Sequence, residues 1–530
     1  MPDVDTVVIG SGAGGLAAAL ALARTGERVL VLEQHELPGG WCHTFRLDGH
    51  AFSPGVHYIG GLHEGGRLRD VYEGLGVAHR MEFLELDPEG FDRVHVGDKE
   101  FAIPRGKERF RDRLKDEFPG EARGIDGYFA AIDDMVRELD TASRVKPGLA
   151  TLALPWTARH LLWHGLPSLA TFQSRFLRDP TLKAVLAAQA GDHGLGPDRA
   201  PAIVHAVVQS HYYDGAWFPK GGGGAIPRAF CRELVAHHGE IRLRAEVDRI
   251  LVEGGAARGV RLRDGTEVSA SRVISNADPG VTWGKLVPPE HVPPAVRDKL
   301  AATQWSVSCL SLFLAVDMDL AAHGLGSANH WWYRDADLAG IYATAERGLE
   351  MEEVPGFFLT VTSLKDRTKE RQGLHTLECF VFVNWDSFQR WSHTRFGQRP
   401  EDYAEMKRVL TERMLRGIER LVPGLRNHVV LSELGTPLTN RHYLAATHGG
   451  LYGTAKTLRQ LGPGSWPIRS ALPGLLQCGA STTSHGVAGA TLSGLQAAAV
   501  ARGCRTRELL TATNSRLVTR PADGPVADAP

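Results

Sequence analysis

Apolar positions along this chain follow two periods, and the switches between them predict its elements. Residues 6–9, Thr-Val-Val-Ile, are a run of the kind that a strand buried on both faces needs. Glycines follow at 10, 12, 14 and 15. Residues 16–24 then repeat Ala and Leu as a helix would, with Gly26 to end it. Residues 28–32, Arg-Val-Leu-Val-Leu, read as a second buried strand closed by Glu33. From about 105 to 140, charged and apolar positions alternate at helical spacing and predict amphipathic helices. A helix is expected over 225–238. A β-meander is expected over 241–243, 247–252, 259–265 and 272–277, with Asp264-Gly265 as a hairpin turn. The runs 306–316, 356–362 and 375–384 are β-rich and predict an antiparallel sheet. A strand at 474–479 leads into an Ala-rich helix, and Pro, Ala and Asp dominate after about 519.

The first strand, helix and second strand enclose Gly10-Ser11-Gly12-Ala13-Gly14-Gly15, with an acid, Glu33, about 20 residues on. Each position has a physical task. Gly10 makes the tight turn, Gly12 lets the backbone approach a pyrophosphate, and Gly15 lets helix and strand pack closely. The helix N-terminus offers free amides to the phosphates, and Glu33 suits a ribose hydroxyl. After Glu33 come Gln34 and, shortly, Gly39-Gly40. A Glu followed by a Gly-Gly pair resembles the extended signature of the glutathione-reductase-like flavoproteins, which implies FAD in place of NAD. The chain has one such fingerprint, because Gly221–Gly224 lacks a preceding long strand and a following acid. NAD(P)H is therefore expected only as a transient electron donor.

The 60 basic and 61 acidic residues nearly cancel, which argues against a nucleic-acid partner held by bulk electrostatics. Six cysteines without any CxxC read as buried apolar residues in a reducing compartment. His35, His43, His50, His57 and His63 crowd one segment, but their spacing fits no helix face, so no metal site is expected. Neither a signal peptide nor a long apolar span is visible, which implies a cytoplasmic protein. Residues 147–176 are unusual: rich in Leu, Ala and Trp, broken by Pro155 and Pro167, and carrying between 148 and 172 a single charge, Arg159. Two readings stand. The stretch lies in a membrane interface with Trp156 and Trp163 at headgroup level, or it is a buried helical pair lining a substrate cavity.

The strings Gly39-Gly40-Trp41-Cys42-His43-Thr44-Phe45 and Gly55-Val56-His57-Tyr58-Ile59-Gly60 resemble the retinol saturase branch of the phytoene desaturase and carotenoid isomerase superfamily. The segments Pro219-Lys220-Gly221-Gly222, Thr436-Pro437-Leu438-Thr439 and Gly449-Gly450-Leu451-Tyr452-Gly453 are similar to its later motifs, and Thr483-Ser484-His485-Gly486-Val487 opens the Ala-rich helix. Many relatives carry Arg where this chain has Trp41, so that phosphate contact is not carried over. The resemblance implies an α/β fold: a glutathione-reductase-like FAD-binding Rossmann domain with a second α+β substrate domain built on an antiparallel sheet. The cofactor domain would comprise residues 1–104, 217–278 and 422–512. The substrate and membrane-contact domain would comprise 105–216 and 279–421, with 513–530 a disordered tail. It also implies cofactor contacts at Trp41, Gly55, Val56, the Val247 backbone against adenine, Gly479, Gly486, Val487 and Ala488.

The implied activity is FAD-dependent chemistry, without a covalent flavin link, on carbon–carbon bonds of a hydrophobic polyene or isoprenoid, first of all saturation of a double bond. Desaturation, cis–trans isomerisation, amine oxidation and non-catalytic carriage of a lipid by a flavoprotein are the rivals. The expected partners are an apolar small molecule, an unidentified electron donor or acceptor, and a membrane surface touched peripherally. Saturation needs a proton as well as a hydride. The candidate groups are His57, Tyr58, His211, Tyr213 and His485, each in a segment expected to reach the cofactor, with His57 foremost.

Overall fold

The computed structural model describes residues 2–144, 154–349 and 351–522. Strand Val4–Ile9 lies inside a seven-stranded sheet, parallel to Val29–Leu32 on one side and to Glu267–Ser275 on the other. Glu240–Arg242 extends the sheet beyond Val29–Leu32, and Leu475–Gln477 joins Glu267–Ser275, both in parallel. The meander Val247–Glu253, Ala256–Leu262 and Glu267–Ser275 completes it, turning through Gly265 at φ +90°. Val7, Val8 and Val31 are wholly inaccessible, as a parallel sheet covered on both faces requires.

Helix Ala13–Ala23 is buried from Gly14 to Ala23, packed against the sheet and against helices Ala225–Ala236 and Gly486–Arg502. A helix apolar on every side is stable only in an interior. It meets Gly486–Arg502 backbone to backbone, because a Cβ on Gly494 would overlap the carbonyl of Gly14.

The second sheet also has seven strands, in the order Val429–Gly435, Ser308–Val316, His375–Val383, Gly356–Val361, Asn329–Tyr333, Asp92–Val96, Lys99–Ile103. All its pairs are antiparallel except Asn329–Tyr333 with Asp92–Val96. The sequence reading assigns 92–103 and 429–435 to the cofactor domain, and the sheet claims them instead. Their partners lie far along the chain, so no local pattern marks their membership. Side chains alternate across this sheet. Phe357, Leu359, Leu377 and Val381 enter a core shared with helix Glu401–Ile418, whereas Trp331 and Phe358 join the core beneath helices Ala122–Arg144 and Ala202–His211.

The expected amphipathic helices form as Lys107–Glu117 and Ala122–Arg144. Within 147–176, residues 147–153 lie outside the described residues. The remainder forms a short helix at Leu154–Thr157, a π-helical turn at Leu161–Gly165 and a helix at Leu169–Ser174. The expected disordered tail is corrected over its described part, because Val518–Pro521 pairs in parallel with Glu82–Glu85 at the edge of a three-stranded sheet. Residues 523–530 lie outside the described residues.

The glycine contact between the two central helices sets the first prediction. Gly494→Ala forces them apart and costs about 1–3 kcal/mol, the usual scale of overpacking. Guanidinium unfolding measures it, and an unchanged midpoint would show that the helices separate freely.

Candidate active site

The glycine-rich turn, both sheets and the helical layer line one cavity of about 1450 Å³. Sites for a single small molecule run about 300–1,000 Å³, so this one has room for more than one ligand.

One end of the cavity is backbone. Gly10, Gly12, Ala13, Gly14, Gln34, Gly39 and Gly40 line it. Gly10 takes φ +88°, which only glycine adopts readily. Helix Ala13–Ala23 starts at Gly12 with no side-chain cap, so its first amides are left for a ligand. Ser11 stands behind the wall and locks the turn. Its hydroxyl and its amide donate to Glu33 Oε2 at 2.6 and 2.9 Å, and its hydroxyl accepts the Gly39 amide at 3.0 Å. The other Glu33 oxygen takes the His35 amide at 2.9 Å, and Glu33 itself lines the cavity. The lock draws the second glycine pair onto the first: a Cβ on Gly40 would sit 3.3 Å from Gly12 Cα.

Asn276, which sequence reasoning missed, fills the space behind these glycines. A side chain at Gly12 would lie 2.7 Å from its Nδ2, and one at Gly14 2.6 Å from its Oδ1. From the far side come Gly479 and the start of helix Gly486–Arg502, where His485 caps without a side-chain hydrogen bond and Gly486, Val487 and Ala488 line the wall. Trp41, Gly55 and Val247 also line it. Three expected cofactor contacts are corrected. Besides Ser11, Gly15 packs against the Gly10 carbonyl and Val56 against Gly223, so neither reaches the cavity. Gly15 does close-packing work, as the third glycine of the fingerprint should. Bare backbone, two uncapped helix starts and an acid fit a dinucleotide.

The other end is aromatic and aliphatic. Trp331, Phe358 and Phe380 face each other in register across three strands, with ring centroids 4.7 and 6.2 Å apart. Val136, Leu161, Val204 and Val207 complete the wall. Leu139, Leu162 and Leu166 both line the cavity and are exposed, with Trp156 and Trp163 exposed nearby in sequence at 76% and 67%. Arg175 lies over the Trp163 ring at 4.9 Å. Of the two readings of 147–176, the lining of a cavity is seen at Leu161, Leu162 and Leu166, while Trp156 and Trp163 face outward.

His57, Tyr58, His211 and His485 line the cavity, and Tyr213 does not. The Tyr213 ring stacks on Phe129 and its hydroxyl accepts Gln209 at 3.3 Å. His57 Nδ1 is 3.0 Å from Glu378 Oε2, an ion-pair distance outside hydrogen-bond angles. Burial holds this imidazole below its ordinary value, against the pull of Glu378. Glu378 also takes the Ser53 amide at 2.8 Å and faces Lys369 at 3.8 Å. Beside it, Lys365 donates to the His57 carbonyl at 2.7 Å, and burial lowers its ammonium to about 7. His211 is spent on structure: its Nε2 accepts the Gly60 amide at 3.1 Å. His485 Nε2 donates to the Asp192 carbonyl at 2.8 Å. Asp192, also unforeseen, lines the cavity and accepts the Tyr58 hydroxyl at 2.6 Å. Its only sequence signal is an acid between glycines, Gly191 and Gly194, in a mostly apolar run, 184–195.

A dinucleotide cradle opening into an apolar chamber defines a flavoprotein oxidoreductase class. Comparison with known proteins agrees and narrows it. The family model described as flavin containing amine oxidoreductase matches residues 13–501. An all-trans-retinol 13,14-reductase from Danio rerio is 33% identical over 85% of this chain and 77% of its own. A chloroplastic prolycopene isomerase from Daucus carota is 28% identical over 85% of this chain and 72% of its own. A solved putrescine oxidase has the same fold at a TM-score of 0.60, with 17% identity, covering 94% of this chain and 99% of its own. The chain belongs to the flavin-containing amine oxidoreductase family and, within it, to the phytoene desaturase, carotenoid isomerase and retinol saturase superfamily.

The crowding at Gly12 gives the second prediction. Gly12→Val pushes a branched side chain into the Asn276 amide and the pyrophosphate approach, and the purified protein should be colourless. Full flavin absorbance in the variant would misplace the pyrophosphate.

Proposed function

We propose that this protein is an FAD-dependent saturase of a polyene, holding its flavin without a covalent link. The observation that carries the reading is one continuous cavity with bare glycine backbone at one end and the aromatic row Trp331, Phe358 and Phe380 at the other. Such a chamber suits a long apolar molecule. The 33% identity to a retinol reductase favours a retinoid, and the isomerase likeness keeps a carotenoid as the second reading.

The uncapped amides of Ala13–Ala23 would hold the pyrophosphate, Glu33 the adenosine ribose, and the Val247 backbone the adenine. The start of helix Gly486–Arg502 would face the flavin ring, its dipole favouring negative charge there. When bound and reduced, FAD supplies a hydride. Cys42 and Cys478 lie in the wall, but burial pushes both thiols up to about 12. Neither is the thiolate that attachment to the flavin would need.

Protein loaded with chemically reduced FAD and given all-trans-retinol decides among the chemistries. A product heavier by two hydrogens supports saturation, and a new isomer of unchanged mass supports isomerisation and overturns it. Oxidised enzyme that makes a more unsaturated product overturns it in favour of desaturation, and hydrogen peroxide from putrescine in favour of amine oxidation. Binding without any turnover leaves a lipid carrier.

The exposed apolar rim adds a peripheral membrane contact to the proposal. Leu139, Leu162 and Leu166 mark the mouth, and Trp156 and Trp163 would sit at headgroup depth beside it. Among the described residues no helix is long and apolar enough to cross a bilayer. Changing Trp156 and Trp163 to Glu should weaken sedimentation with phosphatidylcholine liposomes and leave the flavin bound. Unchanged sedimentation would assign the rim to entry of a dissolved substrate alone.

A further inference from the structure

Asp192 lies where the two ends of the cavity meet. It ends the 3-10 turn Ala188–Asp192 and keeps part of its surface open. Its carboxyl accepts the Tyr58 hydroxyl, and the Tyr58 ring stacks on Tyr212 with centroids 4.5 Å apart and planes 10° apart. That stack fixes the phenol's direction. The Asp192 carbonyl is tied by His485 to the cap of the cofactor-facing helix. On the other side, Gly191 packs so closely on Trp331 that a Cβ there would overlap the indole. One acid thus joins the Tyr58 segment, the helix start and the aromatic row.

We propose that Asp192 is the proton donor of the saturation, giving its carboxyl proton to the alkene carbon beside the one that receives the hydride. The inference rests on the reductive reading above. In this step the π bond of the alkene breaks. One carbon forms a C–H bond with the hydride and its electron pair. Its neighbour forms a C–H bond from the π pair and the Asp192 proton. The O–H bond of Asp192 breaks, and the carboxylate left behind keeps the Tyr58 hydrogen bond until water returns a proton. The two electrons come from reduced flavin, and the protein supplies only the proton.

The protonation states agree with the geometry. Burial pushes the Asp192 carboxyl up to about 8, with Asp92 adding to the rise and the Tyr58 hydrogen bond opposing it. Neither of those two groups is a cation. The phenols of Tyr58, Tyr212, Tyr333, Tyr342 and Tyr452 face this carboxyl, and burial, with the Asp192 charge adding to it, keeps them protonated. The histidines are poorer donors. Burial lowers His211 to about 4 and His485 to about 3, and holds His57 down as well, so the imidazoles stay neutral.

Infrared difference spectroscopy on the flavin-loaded protein at pH 7 reads the carboxyl directly. The expected result is a protonated-carboxyl band that shifts on 13C-aspartate labelling and is missing in Asp192→Asn. That variant should keep its flavin and reduce the polyene ~100-fold more slowly or worse, the scale of losing a general acid, with partial recovery in Asp192→Glu. Wild-type turnover should fall as pH rises through about 8. Tyr58→Phe removes a hydrogen bond that favours the carboxylate, so it should move that fall to higher pH. Saturation by a wild type whose Asp192 is ionised at pH 7, or full turnover by Asp192→Asn, overturns the donor role alone. A wild type that shows the band and saturates no polyene overturns the reductive reading and the donor role together.

Discussion

The structure depends on backbones meeting where side chains are missing. Gly12, Gly14, Gly40, Gly479 and Gly494 come from segments far apart in sequence, and each lies close to another backbone or to the Asn276 amide. A Cβ at any one of them would push a segment away from the others. Close approach allows the first helix to be buried on all sides, and it leaves the helix start bare for phosphate. The Ser11–Glu33–Gly39 bonds hold the same point from within, satisfying polar groups that burial would otherwise strand.

The second sheet works by alternation. One strand, Gly356–Val361, gives Phe357 and Leu359 to a core under the Glu401–Ile418 helix and Phe358 to the cavity. Slipping its register by one residue would exchange the two sets. Next to the aromatic row lies a charged group: Glu378 and Lys369, with Lys365 and Asp92 joined through Asn329. Removing one member of such a buried group leaves an uncompensated charge, typically about 3–5 kcal/mol. That group ties strands 92–96, 329–333 and 375–383 to the loop carrying His57.

Fingerprint, acid and second glycine pair are local signals whose spacing states their geometry, and the strands, turn and helix they predict all form. The apolar runs of the second sheet were legible too, whereas 147–176 stayed between two readings. What sequence alone could not carry were pairings without a local mark. The hairpin Asp92–Ile103 and strand Val429–Gly435 each pair with strands distant in the chain, and Val518–Pro521 is a strand only because Glu82–Glu85 is beside it. Ser11, Gly15 and Val56 lie in cofactor motifs yet stand behind the wall, and Tyr213 turns to Phe129, because a motif gives position and not the direction of a side chain. Asn276 and Asp192 are single polar residues whose meaning comes from what folds against them.

The parallel sheet brings Val4–Ile9 together with Leu475–Gln477 through their shared neighbour Glu267–Ser275, and the cradle is finished by Gly479 and the helix after it. During synthesis, at roughly 5–20 residues per second, the first strand and its glycine turn wait on the order of a minute for the strand and helix that complete them. Through that interval the apolar helix Ala13–Ala23 is without Gly486–Arg502, the helix it finally packs against. The cradle is complete only after Gly479 and helix Gly486–Arg502 have been made, so capture of the cofactor is a late event in the life of this protein.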